Sequence, residues 1–430
     1  MRFTSSLLAV AATLSTAQAA HKGMNYGAFF LNQEPKHRAD FEYEFAAAKQ
    51  LPNTSGQINS ARLYTMIQWR TTNTIIEAIQ AAINTKTTLL LGVWASAGQA
   101  TMDNEIKALK AAIQQYGKAF TDLVVGISVG SEDLYRISPT GIENKSGVGA
   151  NPNELVKYIG QVRQAIKGTG LAGKPIGHVD TWTAYVNASN NAVIDALDFI
   201  GVDAYPYFQT TMANSIGNAN KTFYAAFDAT VAVAKGKPVW VTETGWPVSG
   251  PQQNQAVASS QNARIYWQDV SCSLMRRNVH LYYYTLQDAQ YGNPSPSFGI
   301  KGPGDLMQVK PLFDLSCPGG INPVSLLYSF FLTCLLSPYF FSLLYNASLV
   351  SSSLSLVSSF LSSLVPTRTL CPICTCIPSP GPAAHLSIWA GRPLDWYARA
   401  NRYVKYDMAS SSGITETATS TGLLSESNEI

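Results

Sequence analysis

Charge is scarce in this chain of 430 residues. Asp, Glu, Lys and Arg make up only 13% of it, and 30 cationic against 27 anionic side chains leave a formal surplus of +3. So small an excess offers no electrostatic footprint for nucleic acid, which is bound through clustered Lys and Arg. Histidine is scarcer still: five are scattered without a His-x-x-x-His or comparable spacing, so no metal and no cofactor is expected. A glycine-rich phosphate turn is missing as well, since Gly23-Met24-Asn25-Tyr26-Gly27 after the first apolar run is not one. That argues against a doubly wound nucleotide-binding sheet. Of the six cysteines, Cys371 and Cys374 have a Cys-x-x-Cys spacing but stand alone in a poorly charged tail, with no second pair to complete a zinc site. A neutral ligand suits such a chain, and its 21 Tyr, 17 Phe and 8 Trp supply rings on which sugars can stack or cores can pack.

What is present is order along the chain. Met1-Arg2, the apolar stretch from Leu7 to Leu14 and the small-x-small site Ala17-Gln18-Ala19 form a signal peptide over residues 1–19. Five Asn-x-Ser/Thr sequons, at Asn53, Asn144, Asn187, Asn220 and Asn346, agree with secretion and glycosylation. Eight short apolar runs follow: Gly23–Phe29, Ser60–Thr65, Leu89–Trp94, Leu123–Val129, Pro175–Asp180, Phe199–Ala204, Pro238–Thr242 and Val279–Tyr284. Most are continuous rather than alternating, as parallel strands covered on both faces require. Helical spacing lies between them, over Asp103–Tyr116 and Ala256–Met275 for example. The fold class expected is therefore α/β, a (β/α)8 TIM barrel over residues 20–317, with a non-globular, low-complexity C-terminal tail. Cys272 and Cys317, the two cysteines of the barrel region, are expected to pair.

Barrel enzymes carry their chemistry on the C-terminal ends of the strands. Two acids stand there: Glu132 after Gly126-Ile-Ser-Val-Gly-Ser, and Glu243 within Val239-Trp-Val-Thr-Glu-Thr-Gly-Trp246-Pro247. One acid ending a buried strand is as well explained by a structural ion pair as by catalysis. Two on one rim favour catalysis, because glycosidic cleavage needs one carboxyl to protonate the leaving oxygen and another to attack or to activate water.

The strand-seven run resembles the nucleophile signature of glycoside hydrolase family 17, specifically of the fungal glucan endo-1,3-β-glucosidases. Gly-Met-Asn25-Tyr26-Gly, Ala-Arg62-Leu-Tyr64, Val-Gly-Ser131-Glu132, Asp203-Ala-Tyr205-Pro and Tyr284-Thr-Leu-Gln287-Asp288 follow in the family's order, over roughly residues 22 to 317. The resemblance implies retaining, endo-acting hydrolysis of β-1,3-glucan in the fungal cell wall, with Glu132 as acid/base and Glu243 as nucleophile. A glucanosyltransferase using the same two residues, and a non-catalytic glucan-binding wall protein, are the alternatives. Expected substrate contacts are Tyr26, Arg62, Tyr64, Ser131, Asp180, Trp182, Tyr205, Trp246 and Asp288. Ser131 departs from the Asn that precedes the acid in many barrel glycosidases. For Tyr26 and Tyr205, core packing explains the residue as well as a site role does; for Asp288, helix capping does. A monomer is expected.

Beyond Cys317 the composition changes, and no charged residue occurs from Leu315 to Thr367. Residues 318–409 form an apolar, Ser- and Leu-rich segment, and residues 410–430 a Ser/Thr-rich tail. Relatives of this kind often end in a hydrophobic signal exchanged for a glycolipid anchor, but such a signal belongs at the extreme C-terminus. Two readings compete for the segment: a membrane anchor, since Ser325–Tyr345 is long enough to span a bilayer, and an artefact of the gene model such as a retained intron. The second is preferred, because neither barrel periodicity nor cationic flanks accompany the segment.

Overall fold

In the computed structural model, which describes residues 19–320, parallel pairing runs in chain order through β1 (Lys22–Tyr26), β2 (Ile58–Leu63), β3 (Thr88–Val93), β4 (Val124–Ser131), β5 (Ile176–Thr181), β6 (Phe199–Asp203), β7 (Val239–Thr244) and β8 (Leu281–Tyr283). β8 then pairs with β1 and closes the barrel. Each apolar run of the sequence contains or overlaps one of these strands. The signal peptide (but for Ala19), Asn346, Cys371 and Cys374, the apolar segment (but for residues 318–320) and the tail at 410–430 lie outside the described residues.

Helices pack outside the strands: α1 (Arg38–Lys49), α2 (Ala78–Thr85), α3 (Gly98–Thr121), α4 (Pro152–Ile166), α5 (Asn191–Ala196), α6 (Ile216–Val233), and α7, built of the contiguous segments Ser260–Tyr266, Trp267–Ser271 and Cys272–Arg276. α4 begins with Pro152 behind a capping box, in which Asn151 accepts from Glu154 N–H and Glu154 reaches back to Asn151 N–H. The helix expected from Ala256 starts only at Ser260. The Ser259 side chain caps it, while Ala256 bridges to Gln253. Cys272 is bonded to Cys317 with Cα atoms 5.5 Å apart. Closing 45 residues in this way stabilises the fold by about 4 kcal/mol in the loop-entropy account.

The barrel interior is layered by chemistry. Its floor is apolar: Leu90, Phe199, Trp240 and Tyr282 are buried together, with the Phe199 and Trp240 rings stacked at 3.9 Å. Glycines make room for them, since a β-carbon on Gly177 would lie 2.4 Å from the Phe199 ring, and one on Gly126 3.0 Å from Trp240. Toward the C-terminal rim the interior turns polar, and Asn25, Arg62, Ser131, Asp203, Thr242 and Glu243 are all buried there. Polar groups taken from water must be paired with one another, and that pairing builds the site.

Candidate active site

Arg62 organises the polar layer. From β2 its Nη1 donates to Asn25 Oδ1 on β1 at 2.7 Å and to Glu243 Oε1 on β7 at 2.5 Å, and its Nη2 donates to Ser131 Oγ on β4 at 3.1 Å. Asn25 is oriented in turn by its own amide, which donates to the Thr242 and Tyr282 carbonyls at 3.1 Å each. One guanidinium thus spans the barrel, a task suited to a planar fork with five donors. Burial disfavours its charged form, but the charge and hydrogen bond of Glu243, together with Tyr64 and Asp203, outweigh burial and hold Arg62 above its ordinary value.

Glu243 is 3% exposed and receives two more donors. Tyr64 OH reaches Oε1 at 2.9 Å and Tyr205 OH reaches Oε2 at 2.8 Å. Burial, then the Glu243 charge, raises both phenols well above their ordinary values, so they remain donors. Three charge-assisted contacts fix the plane of the carboxylate.

Glu132 follows β4 at the same rim and is 4% exposed. Its backbone is left-handed, with φ at 57°, and it leads into a four-residue helical turn, Asp133–Arg136. Its N–H donates to the Val179 carbonyl at 2.7 Å. Asp203, fully buried at the end of β6, feels both acids: burial first, then the charges of Glu243 and Glu132, raise its carboxyl well above the ordinary value. Asp203 stands in the run Asp203-Ala-Tyr205-Pro, which by itself implies no role for it. An acid two residues before Tyr205 was its signal.

A groove of about 980 Å³ opens beside this centre over the loops that follow β1, β2, β3 and β8. Asn25 and Tyr64, direct partners of Arg62 and Glu243, wall its inner end, while Phe29, Trp69, Trp94 and Phe298 supply rings along it. The Phe29 and Trp69 rings stack at 4.0 Å, and the Arg136 guanidinium lies 4.9 Å from the Trp94 ring. Glu105 of α3 lines the groove as well. It accepts from Thr65 Oγ1 and, at 2.7 Å, from Met66 N–H, fastening the loop that carries Tyr64. Sequence reading missed Asn25, Glu105, Trp69 and Trp94 as site residues, because their contacts come from remote strands and loops.

Three expected substrate contacts, Trp246, Asp180 and Asp288, are engaged by other groups. Trp246 is fully buried, donates Nε1 to the Val257 carbonyl and packs on Tyr207 and Tyr266, so it fills the core and offers no platform. Asp180 is fully buried and accepts from the N–H groups of Leu134, Tyr135 and Thr181; it caps the turn after Glu132. Trp182 is half-buried beside the core and, like Glu132 and Glu243, stands outside the lining of that groove. Asp288 does line it, but both its oxygens are engaged in fastening the β8 loop, by Ser297 Oγ and Phe298 N–H. Tyr26 serves twice, packing edge-on against Phe45 at 4.9 Å while lining the groove. Ser131 is an acceptor for Arg62. Among the sequons, Asn53 and Asn187 are exposed and Asn220 is half-buried. Asn144 is only 8% exposed, with its amide donated to the Thr140 carbonyl, which leaves no room for a glycan. Among the described residues no group of three or more His, Cys, Asp or Glu side chains is placed to hold a metal.

Comparison with known proteins bears on the family and the fold. The model of the BtgE/BtgC glycoside hydrolase domain matches residues 23–300. The chain is 57% identical over 317 residues to a probable glucan endo-1,3-beta-glucosidase, eglC, of Aspergillus fumigatus, covering 74% of this chain and 70% of that one. To the Aspergillus oryzae protein of the same name it is 55% identical over 317 residues, with 74% and 67% covered. A crystal structure of a glycoside hydrolase family 17 beta-1,3-glucanosyltransferase from Rhizomucor miehei superposes with a TM-score of 0.55 at 27% identity, covering 69% of this chain and 97% of that one. The chain belongs to the BtgE/BtgC glycoside hydrolase family.

Proposed function

We propose that this protein is an endo-acting, retaining hydrolase of β-1,3-glucan, with Glu243 as the nucleophile and Glu132 as the acid/base. The observation that carries the reading is the pair of buried acids at one rim of the barrel, one of them held by three donors. Glu243 is gripped by Arg62, Tyr64 and Tyr205, all donors, which favours an ionised carboxylate held in one plane. Glu132 follows a different strand, β4, at the same rim.

In the first step Glu243 attacks the anomeric carbon while the Glu132 carboxyl gives its proton to the departing glycosidic oxygen, leaving a glycosyl ester on Glu243 and an ionised Glu132. In the second step Glu132 takes a proton from water, whose oxygen displaces Glu243 and restores both carboxyls. The groove walled by Asn25 and Tyr64 would receive the neutral glucan, its aromatic rings meeting the apolar faces of the sugars.

The likeness to the Rhizomucor glucanosyltransferase supports a second reading, in which a sugar hydroxyl replaces water in the second step. A product time course on linear β-1,3-glucan separates the two. Only shorter oligosaccharides support hydrolysis; products longer than the donor overturn it in favour of transfer.

Action outside the cell, at the fungal wall, is proposed on the signal-like N-terminus, the Cys272–Cys317 bond and the exposed sequons at Asn53 and Asn187. Disulfides persist in oxidising compartments.

A further inference from the structure

His178 of β5 is completely buried and takes no part in the mechanism above. Its Nδ1 lies 2.7 Å from the Val129 carbonyl oxygen and its Nε2 3.0 Å from Asp180 Oδ2. A carbonyl oxygen can only accept. Asp180 Oδ2 is already an acceptor for the Leu134 N–H at 2.9 Å. A neutral imidazole has one N–H and can serve one of these partners, whereas an imidazolium serves both.

These partners frame Glu132. Val129 stands three residues before it, and Leu134 and Tyr135, both bonded to Asp180, stand two and three after. Between His178 and Asp180, the Val179 carbonyl accepts Glu132 N–H itself. Gly130 lets the strand lie this close: a β-carbon there would come within 3.0 Å of His178 Nδ1 and Cε1.

We propose that His178 is a buried imidazolium that positions Glu132, fastening the strand end before the acid and, through Asp180, the helical turn after it. Proton delivery to the leaving oxygen then depends on the charge of a histidine that never touches substrate. The inference rests on the reading of Glu132 as the acid.

The charged and titratable groups around the ring are consistent with this. Asp180 shares its strand. Asp133, on the turn, is held by Ser96 Oγ and Ser131 N–H, and Arg136 lies on that same turn. Tyr185 meets the ring edge-on at 6.4 Å and donates its hydroxyl to the His178 carbonyl. Burial lowers the basicity of His178, but the hydrogen bond and charge of Asp180, then the charge of Asp133, carry it above its ordinary value. A folded value above the unfolded one means the latch holds at acid pH and loosens as pH rises through the folded value.

The ring is read directly by nitrogen NMR on the full chain labelled with [15N]histidine, from acid to mildly alkaline pH. The resonance of His178 is the one lost in His178→Gln. Both ring nitrogens should carry protons at about pH 6.5, the ordinary midpoint; a neutral ring there overturns the proposal. Activity is then compared on β-1,3-glucan and on a dinitrophenyl laminarioside, whose leaving group departs without a proton. Gln and Asn each restore one of the two bonds. Both His178→Gln and His178→Asn should lose about tenfold or more in kcat/KM on glucan, the scale of impaired acid catalysis. On the aryl substrate they should stay within about twofold, and the alkaline limb of the glucan profile should move. Equal losses on both substrates by a folded variant would reduce His178 to a packing residue and overturn the proposal. A variant that fails to fold leaves the decision to the wild-type NMR titration. Glu132→Gln tests the underlying reading separately: if it fails to distinguish the two substrates, the acid assignment falls while the charge of His178 is still read by NMR.

Discussion

Arg62 and Glu243 form an ion pair at 2.5 Å in which the side chains are only 1% and 3% exposed, so neither charge has water as an alternative partner. Removing one member of such a pair strands the other. Arg62→Met should destabilise the fold by about 3–5 kcal/mol in chemical denaturation, the usual penalty for an unpaired buried charge. Arg62→Lys, which keeps the charge but loses the fork to Asn25 and Ser131, should destabilise less and still lower kcat. A change below about 1 kcal/mol for Arg62→Met would mean that Glu243 does not carry its charge in the resting fold.

The two acids should fail in different ways. Glu243→Gln should abolish turnover of every substrate, because an amide does not attack the anomeric carbon. Glu132→Gln should lose glucan hydrolysis by about a hundredfold or more while retaining substrates with good leaving groups. Azide should restore turnover to Glu243→Ala and give a glycosyl azide of inverted configuration. Near-normal glucan activity in both Gln variants would remove the assignment.

Double displacement also fixes the stereochemistry of the product. Proton NMR of the first product released should show the β-anomer, since two inversions restore the starting configuration. Initial α-anomer would mean that water attacks directly, a route served by carboxyls roughly 6.5 to 9.5 Å apart rather than about 5 Å.

Glu105 is pushed up to about 8 because burial outweighs the donors from Thr65, Met66 and Trp94. Its unfolded value is near 4.3, so between about pH 4.3 and this folded value the unfolded chain has released a proton that the folded chain keeps. That difference makes the Glu105 contribution to stability fall as pH rises through the window. Thermal midpoints of the wild type should therefore drop more, from about pH 5 to pH 8, than those of Glu105→Gln. The same pH dependence in both proteins would show that Glu105 is already ionised in the fold.

The barrel was legible in the sequence because its strands are covered on both faces. The run Leu89–Trp94 admits no polar residue, and β3 occupies all of it but Trp94. Glu132 and Glu243 were legible for the converse reason, as acids ending runs that otherwise exclude charge. What the sequence hid was the direction in which a side chain at a strand end points. Trp246 and Asp180 sit at such ends. The packing of Tyr207 and Tyr266, and the N–H groups of Leu134 and Tyr135, draw them away from the groove. Asp203 was hidden differently, since its environment is made by Glu243 and Glu132, distant in the chain. His178 shows neither periodicity nor motif, and only the meeting of β4 with β5 gives its ring two acceptors.

The left-handed backbone at Glu132 has a further consequence. A residue with a β-carbon gives up about 1 kcal/mol in that conformation, and Asn tolerates it better than Glu does. Folding and chemistry therefore favour different side chains at the same position. With Glu132 as the proposed acid, a selection for thermal resistance alone would drift toward Asn here and silence the enzyme, whereas a selection for turnover would hold the strained acid in place. Robustness in this barrel has to be sought elsewhere, in the helices and the floor, because a left-handed backbone carries the very residue proposed to protonate the sugar.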